Sequence, residues 1–492
     1  MFLRTPRALG LVAALALAVP ALAAIPGATA ATDKQAARAA ATPAISLWAP
    51  KQITSYAYRN KTWTDLGLRV VANGAPFELW STRPSYDEQI QTVWRTPDGD
   101  VALPTGSMDT FSGLNGFLTL EIDKSGPTPP TTLTRKACLN GYSERVDKDA
   151  PPRSPYPVGC WYNAYSLGSV QGVQEGWATP VLTQDRPMRI RAGVYTVTAR
   201  IAPAYSELFG LTAEQATRTL QLTVLDQDDS AGGGEAPHPH RASPYRPAAQ
   251  EPTGPERRAD EDGPMPDLQS LPAWGINVAE NGNFLRFSAT VWNAGNSPLV
   301  VDGFRVEDED EMTAYQYFFD ADGNQTGYEE VGHMHWDAKP SHQHWHFEDF
   351  ARYSLWNADL TEAVRSRKEA FCLANTDSVD LTVPDAQWKP ENTDLTTSCG
   401  DYSSLSIREV LEAGWGDTYT QYRAGQSFDL RGLPNGTYFI AVIANPENRL
   451  VESSLDNNVE LREIRLRGKP GARRVIVEQV GIIEEEMYGG TG

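Results

Sequence analysis

Residues 342–346 read His-Gln-His-Trp-His, and three of the chain's seven histidines fall there at a spacing of two. Alternate side chains of a strand leave the same face. His342, His344 and His346 are therefore expected to converge, while Gln343 and Trp345 point away. Three neutral imidazoles suit copper or zinc, with a coordination position open to water or substrate. The plain alternative is three polar side chains on a wet strand, but a histidine-poor chain rarely clusters three by chance. His333 and His335 lie close by, either as further ligands or as surface residues of the preceding hairpin. Spacing alone does not choose the metal. A cupin needs another histidine on a later strand, and none follows His346.

The elements that must present this cluster read as strands. Leu285, Phe287, Ala289 and Val291 alternate in the manner of a half-buried strand. Tyr315–Phe319 and Gly327–Val331 flank Asp320-Ala321-Asp322-Gly323-Asn324, which reads as a hairpin turn. It also resembles part of a calcium loop, but Gln325 stands where an EF-hand needs glycine. Tyr438–Ala444, after Pro434-Asn435-Gly436, reads as a core strand. Earlier in the chain Leu68–Val71, Phe117–Ile122, Val194–Ile201 and Thr219–Leu225 are strand-like, with one short helix expected at Ala213–Arg218 behind a Thr212/Gln215 capping box.

The chain thus reads as all-β: two β-sandwich-like domains joined by a flexible Pro/Gly-rich linker. The first spans 44–225 and shows no catalytic constellation. The linker, 226–266, holds Gly232-Gly233-Gly234 and eight prolines, too little apolar surface to fold. Its His238 and His240 make a poor ordered metal site. The second domain spans 267–468, and a part apolar, part acidic tail runs over 469–492.

Residues 1–31 read as an export signal, with Arg4 and Arg7 before the apolar run Ala8–Ala24 and small residues after it. No later stretch reaches the ~18 apolar residues of a membrane span. A secreted location follows as the expectation, and four cysteines in an exported chain predict two disulfides, one per domain. A net charge of −20 argues against nucleic acid and favours amines or basic peptides.

At this point the second domain resembles the catalytic domain of the lysyl oxidase family. The family's His-Gln-His-Tyr-His is similar to His342–His346, with Phe350 and Tyr353 following. Its Lys-x-x-Phe-Cys-Leu is similar to Lys368–Leu373, its Asp-Thr-Tyr to Asp417-Thr418-Tyr419, and its Glu-Ser-Asp-x-x-Asn-Asn to Glu452–Asn458. The resemblance runs in order from Asp267 to Arg467. It implies copper held by His342, His344 and His346, and a lysine tyrosylquinone made from Lys368 and Tyr419. The chemistry explains the residue types, because an oxidised tyrosine ring accepts a lysine amine and a remaining carbonyl captures a substrate amine. A primary amine, with the side chain of a peptidyl lysine as the expected class, would become an aldehyde, with molecular oxygen consumed and ammonia and hydrogen peroxide released.

The resemblance also implies a calcium site from Asp267, the backbone of Leu268, Glu452, Asn457 and Asn458, all oxygen donors suited to a hard cation. Ser454 stands where the family has aspartate, with Asp456 two residues on as the substitute carboxylate; the alternative is an acidic, Asn-rich turn. Arg352 replaces a histidine considered for acid–base work, which leaves Asp417 as the candidate catalytic base or, equally simply, a turn-capping carboxylate. The rival reading is a non-catalytic copper-binding or adhesion protein with the same fold. The older topaquinone oxidases need Asn-Tyr-Asp/Glu, which this chain lacks.

Overall fold

Strand-forming segments dominate wherever β-branched and aromatic residues alternate, and the result is an all-β chain of several sheets. The computed structural model describes residues 45–124, 126–127, 129–182, 187–226, 251–253, 256, 262–306, 310–338, 343–366, 370–420 and 426–485. The export segment, most of the linker with His238 and His240, His342 and Lys368 lie outside the described residues. Among the described residues no helix is long and apolar enough to cross a membrane.

Among the described residues, the N-terminal region builds one six-stranded and two four-stranded sheets around a shared apolar core. Of the strand-like segments named above, Phe117–Ile122, Val194–Ile201 and Thr219–Leu225 lie within Leu114–Asp123, Gly193–Ile201 and Thr217–Asp226, and Leu68–Val71 lies in Arg69–Ala72 except for Leu68 itself. Thr212 caps the short helix reciprocally with Gln215. That helix is only Ala213–Ala216, because Thr217 already enters the long final strand, where pairing with Gly193–Ile201 overrides helix propensity.

Among the described residues, three sheets form the C-terminal half. One runs Ala370–Phe371, His344–Glu348, Gln325–Asp337, Glu311–Phe319, Leu299–Arg305, Ser406–Leu411. A second runs Leu268–Ser270, Phe284–Asn293, Trp415–Tyr419, Asp377–Ser378. The third is centred on Gly436–Ala444. The hairpin turn forms as read: Asp320 Oδ1 accepts from the amides of Asp322 and Asn324, at 3.0 and 2.8 Å. Phe284–Asn293 departs from the half-buried expectation. Leu285, Phe287, Ala289 and Val291 are buried, but so are Ser288, Thr290 and Trp292. The second face is covered, since Trp292 packs with Ala164 and Tyr165 of the N-terminal region and Ile483 of the tail.

The tail after Lys469 acts as a fastening. Ala472–Val477 pairs with Val459–Lys469, and the Ile482 amide donates to the Tyr86 carbonyl at 2.8 Å. Glu485 then accepts from Tyr165, Arg462 and the Gly275 amide at 2.9, 2.7 and 3.0 Å. Disulfides join Cys138 to Cys160 and Cys372 to Cys399, one in each half.

Candidate active site

The histidine strand begins at His344, because Gln343 turns the chain with φ +50°. It pairs with Gln325–Asp337 so that His346 faces His335, Trp345 faces Trp336 and His344 faces Asp337. Directly opposite residues share a face. One face therefore carries His335, Asp337, His344, His346 and Glu348, and the other carries the tryptophans. Trp345 is 0% exposed and its indole N–H donates to the Asp401 carbonyl at 2.9 Å. This buried tryptophan fixes which way the imidazoles turn, because a one-residue slip would send it into solvent.

The Nε2 atoms of His344 and His346 stand 2.9 Å apart. Two ligands about 2.0 Å from one ion, at roughly a right angle, have that separation. The donor set thus fits a copper- or zinc-sized ion, and imidazole nitrogen suits both. His346 Nδ1 lies 3.9 Å from Asp337 Oδ2, an ion-pair separation rather than a hydrogen bond. His335 Nε2 pairs with Glu348 Oε1 at 3.2 Å, and His333 Nδ1 with Glu311 Oε1 at 2.7 Å. His335 shares the histidine face while engaged with Glu348, and His333 is turned to the neighbouring strand. Asp337 and Glu348 are the site residues that reading the sequence missed. Glu348 was visible in principle as the next same-face position after His346; Asp337 needed the hairpin register.

The phenol side is assembled from two other segments. Ala370–Phe371 pairs with the histidine strand, Phe371 opposite Phe347 and Ala370 opposite Glu348. The Tyr419 ring packs edge-on against Phe371 at 4.7 Å, and Phe371 meets Phe350 and Tyr353 at 5.7 and 5.8 Å. The Cys372 amide donates to the Tyr419 hydroxyl at 3.3 Å, and that hydroxyl lies 3.4 Å from the Cys372 carbonyl. Cys372 follows Lys368 by four residues. The Cys372–Cys399 disulfide secures this backbone, and the Trp345 amide donates to the Cys399 carbonyl at 3.0 Å. Sheet pairing and one disulfide thus tie the Cys372–Tyr419 contact to the strand that carries His344 and His346.

Asp417, two residues before Tyr419 on the same strand face, is buried. Burial, then the Asp417 charge, holds the Tyr419 phenol far above its usual range, and the same causes act on Tyr353. Both phenols therefore keep their protons in the metal-free protein. Glu409 lies within 4.8 Å of the Cys372 and Cys399 sulfurs. Those sulfurs are joined to each other, which removes the thiolates a metal would need.

The oxygen cluster lies elsewhere. Asp267 accepts from Asn457 Nδ2 at 2.9 Å and Ser453 Oγ at 3.1 Å. Glu452 accepts from the Leu268 amide at 2.7 Å, Asn445 Nδ2 at 2.7 Å and Asn458 Nδ2 at 2.8 Å. Burial first, and least the Asp267 charge, raise the Glu452 carboxyl above its ordinary value. The Oδ1 atoms of Asn457 and Asn458 are buried without a hydrogen-bond partner. Buried acceptors left this way are costly, and a hard cation is the ligand that would use them. Asp456 is exposed, with its amide on Ser454 Oγ.

With this geometry in view, residues 308–476 match the sequence model of the lysyl oxidase family, which spans every motif of the active-site neighbourhood. The C-terminal half carries a lysyl oxidase family domain. Among curated proteins, lysyl oxidase homolog 4 of Mus musculus is 26% identical over 146 residues, 30% of this chain and 17% of that protein. Lysyl oxidase homolog 3B of Danio rerio is 26% identical over 129 residues, 26% of this chain and 14% of that protein. The matched stretch is therefore less than a fifth of either relative.

Proposed function

We propose that this lysyl oxidase domain is a secreted, copper-dependent amine oxidase acting on primary amines, with peptidyl-lysine side chains as the preferred class. The observation that carries the reading is the Tyr419 hydroxyl held at the Cys372 backbone, four residues past Lys368 and one strand away from His344 and His346. In this reading His342, His344 and His346 hold the copper, and Lys368 and Tyr419 form the lysine tyrosylquinone. Together these groups supply the redox chemistry by which amine, oxygen and water become aldehyde, ammonia and hydrogen peroxide. The chain's own residues do the rest. Asp337 sets its charge at ion-pair distance from the imidazole of His346. Phe371 and the Cys372 backbone keep the Tyr419 ring in one orientation and exclude water from it. Asp417, buried two residues before Tyr419 on the same strand face, takes the proton lost from the substrate α-carbon at its carboxylate.

Asp267, the Leu268 backbone, Glu452, Asn457 and Asn458 hold calcium, tying the start of the domain to its end. Two disulfides fit an oxidising compartment outside the cytoplasm. The test is peroxide release by copper-loaded protein over a panel of lysyl peptides and small diamines, with Tyr419→Phe as control. Amine-dependent peroxide, absent in the variant, is the expected result. Full copper occupancy with no peroxide from any amine would favour the non-catalytic copper-binding or adhesion reading.

A further inference from the structure

The family match begins at residue 308 and leaves the N-terminal β region without a role. That region is stitched to the Tyr419 strand. Its segment 161–168 follows the Cys138–Cys160 disulfide and runs along residues 378–381. The amides of Leu167 and Gly168 donate to the Val379 carbonyl at 2.6 and 3.1 Å, and the Leu381 amide returns to the Gly168 carbonyl at 3.1 Å. The Ser166 hydroxyl donates to the Ser378 carbonyl at 2.8 Å. Only glycine permits this approach at 168, where a Cβ would come within 2.0 Å of Asp380 Oδ1. Residues 377–378 pair in turn with the Tyr419 strand, Asp377 opposite Gly416 and Ser378 opposite Trp415.

Side chains continue the path. Thr418 sits between Asp417 and Tyr419, so its side chain leaves the opposite face of the strand. Its hydroxyl meets Thr290 Oγ1 at 2.7 Å and donates to the Asp377 carboxylate. From the N-terminal region, the Asn163 amide donates to that same carboxylate and reaches Thr290 Oγ1 at 3.4 Å. Asn163 is itself fixed, since its Oδ1 accepts from the Tyr165 amide at 2.8 Å. Asn163 and Thr290 are fully buried. A connected polar network anchored on two buried members specifies one arrangement, because any other leaves those members unsatisfied.

We infer that the N-terminal region braces the Tyr419 strand through Asn163, Asp377 and Thr418, and so positions the phenol for cofactor formation. This rests on the reading of Tyr419 as the quinone precursor. Asn163, Asp377 and Thr418 are positioning residues: they face away from the phenol and act through the strand that carries it. Misplacing a reacting ring by about 1 Å is enough to cost its chemistry heavily, which gives the brace a function beyond packing.

Hydrogen exchange on the metal-free full chain tests it whether or not the quinone ever forms. Asn163→Asp keeps the acceptor for the Tyr165 amide and removes only the donor; Thr418→Val removes the hydroxyl, and Thr418→Ser restores it. Exchange over residues 415–420 should accelerate about tenfold in the first two variants, stay unchanged over 344–348, and return near wild type in Thr418→Ser. Wild-type exchange in both disruptive variants, or uniform acceleration across the domain, would overturn the brace. In copper-loaded protein, Asn163→Asp should lower the cross-linked Lys368–Tyr419 fraction at least about threefold at unchanged copper content. A wild-type yield there would also overturn it. No cross-link even in the wild type would sink the quinone reading instead, and the exchange pattern would still decide the brace.

Discussion

The two sides of the candidate active site are built to different degrees of dryness. On the histidine side, His335, Asp337 and Glu348 keep partial contact with water around a buried His346, and the His335–Glu348 pair is of the exposed kind that contributes little stability. On the phenol side, Asp417, Phe371 and Tyr353 are buried, and the Tyr419 hydroxyl is held by main chain. A metal face must admit an ion and a substrate. A ring destined for covalent modification must hold one orientation and be shielded from side reactions. The domain answers each need with a different amount of burial.

The largest expected effect falls on the histidine side. His346→Ala should reduce copper content to near zero and, because the imidazole is buried, lower unfolding stability by about 1–2 kcal/mol; metal analysis beside thermal denaturation reads both. Retained copper at full occupancy would move the ion elsewhere. On the dry side the ranking reverses. Phe371→Ala removes the ring that Tyr419, Phe350 and Tyr353 pack against and should cost about 3–5 kcal/mol, measured by denaturant unfolding, while copper binding by the folded fraction persists. A cost below about 1 kcal/mol would mean that the phenol side is not a packed unit.

A third expectation concerns pH. Glu412, just before the Tyr419 strand, is pushed up to about 7 by burial, against an ordinary value of 4.5, with a hydrogen bond from Thr393 opposing weakly. A raised carboxyl favours the neutral form in the folded state, so stability is full below about 4.5 and falls as pH rises towards 7. The loss above that point is on the order of 3 kcal/mol. Glu412→Gln should therefore be more stable than wild type at pH 8 and equal to it at pH 4.5. Parallel melting curves at both values would remove Glu412 from the account. The smallest effect belongs to the histidine side again. Glu348→Gln breaks the half-exposed pair with His335 and should change stability by less than about 1 kcal/mol.

The same contrast explains what was legible in the sequence. His344 and His346, with Trp345 between them, follow from the two-residue period of a strand, which is local information. The capping box at Thr212 and the turn at Asp320 are local too. The double burial of Phe284–Asn293 was not legible, because Trp292 is covered by Ala164, Tyr165 and Ile483, which are far away in the chain. Asp337 joined the histidine face only through hairpin register. The Asn163–Asp377–Thr418 connection spans some 250 residues, and no periodicity encodes it. The short helix was overextended because pairing captured Thr217.

The central claim is that Lys368 and Tyr419 become one cofactor beside a histidine-bound copper, and peptide mass spectrometry reads it directly. Copper-loaded full-length protein, reduced and digested, should yield a peptide containing Lys368 joined through its side chain to one containing Tyr419. The joined species should be missing from Tyr419→Phe and from protein prepared without copper. If the two peptides run separately and Tyr419 keeps its unmodified mass in copper-replete protein, the amine oxidase account is contradicted, whatever the histidines bind.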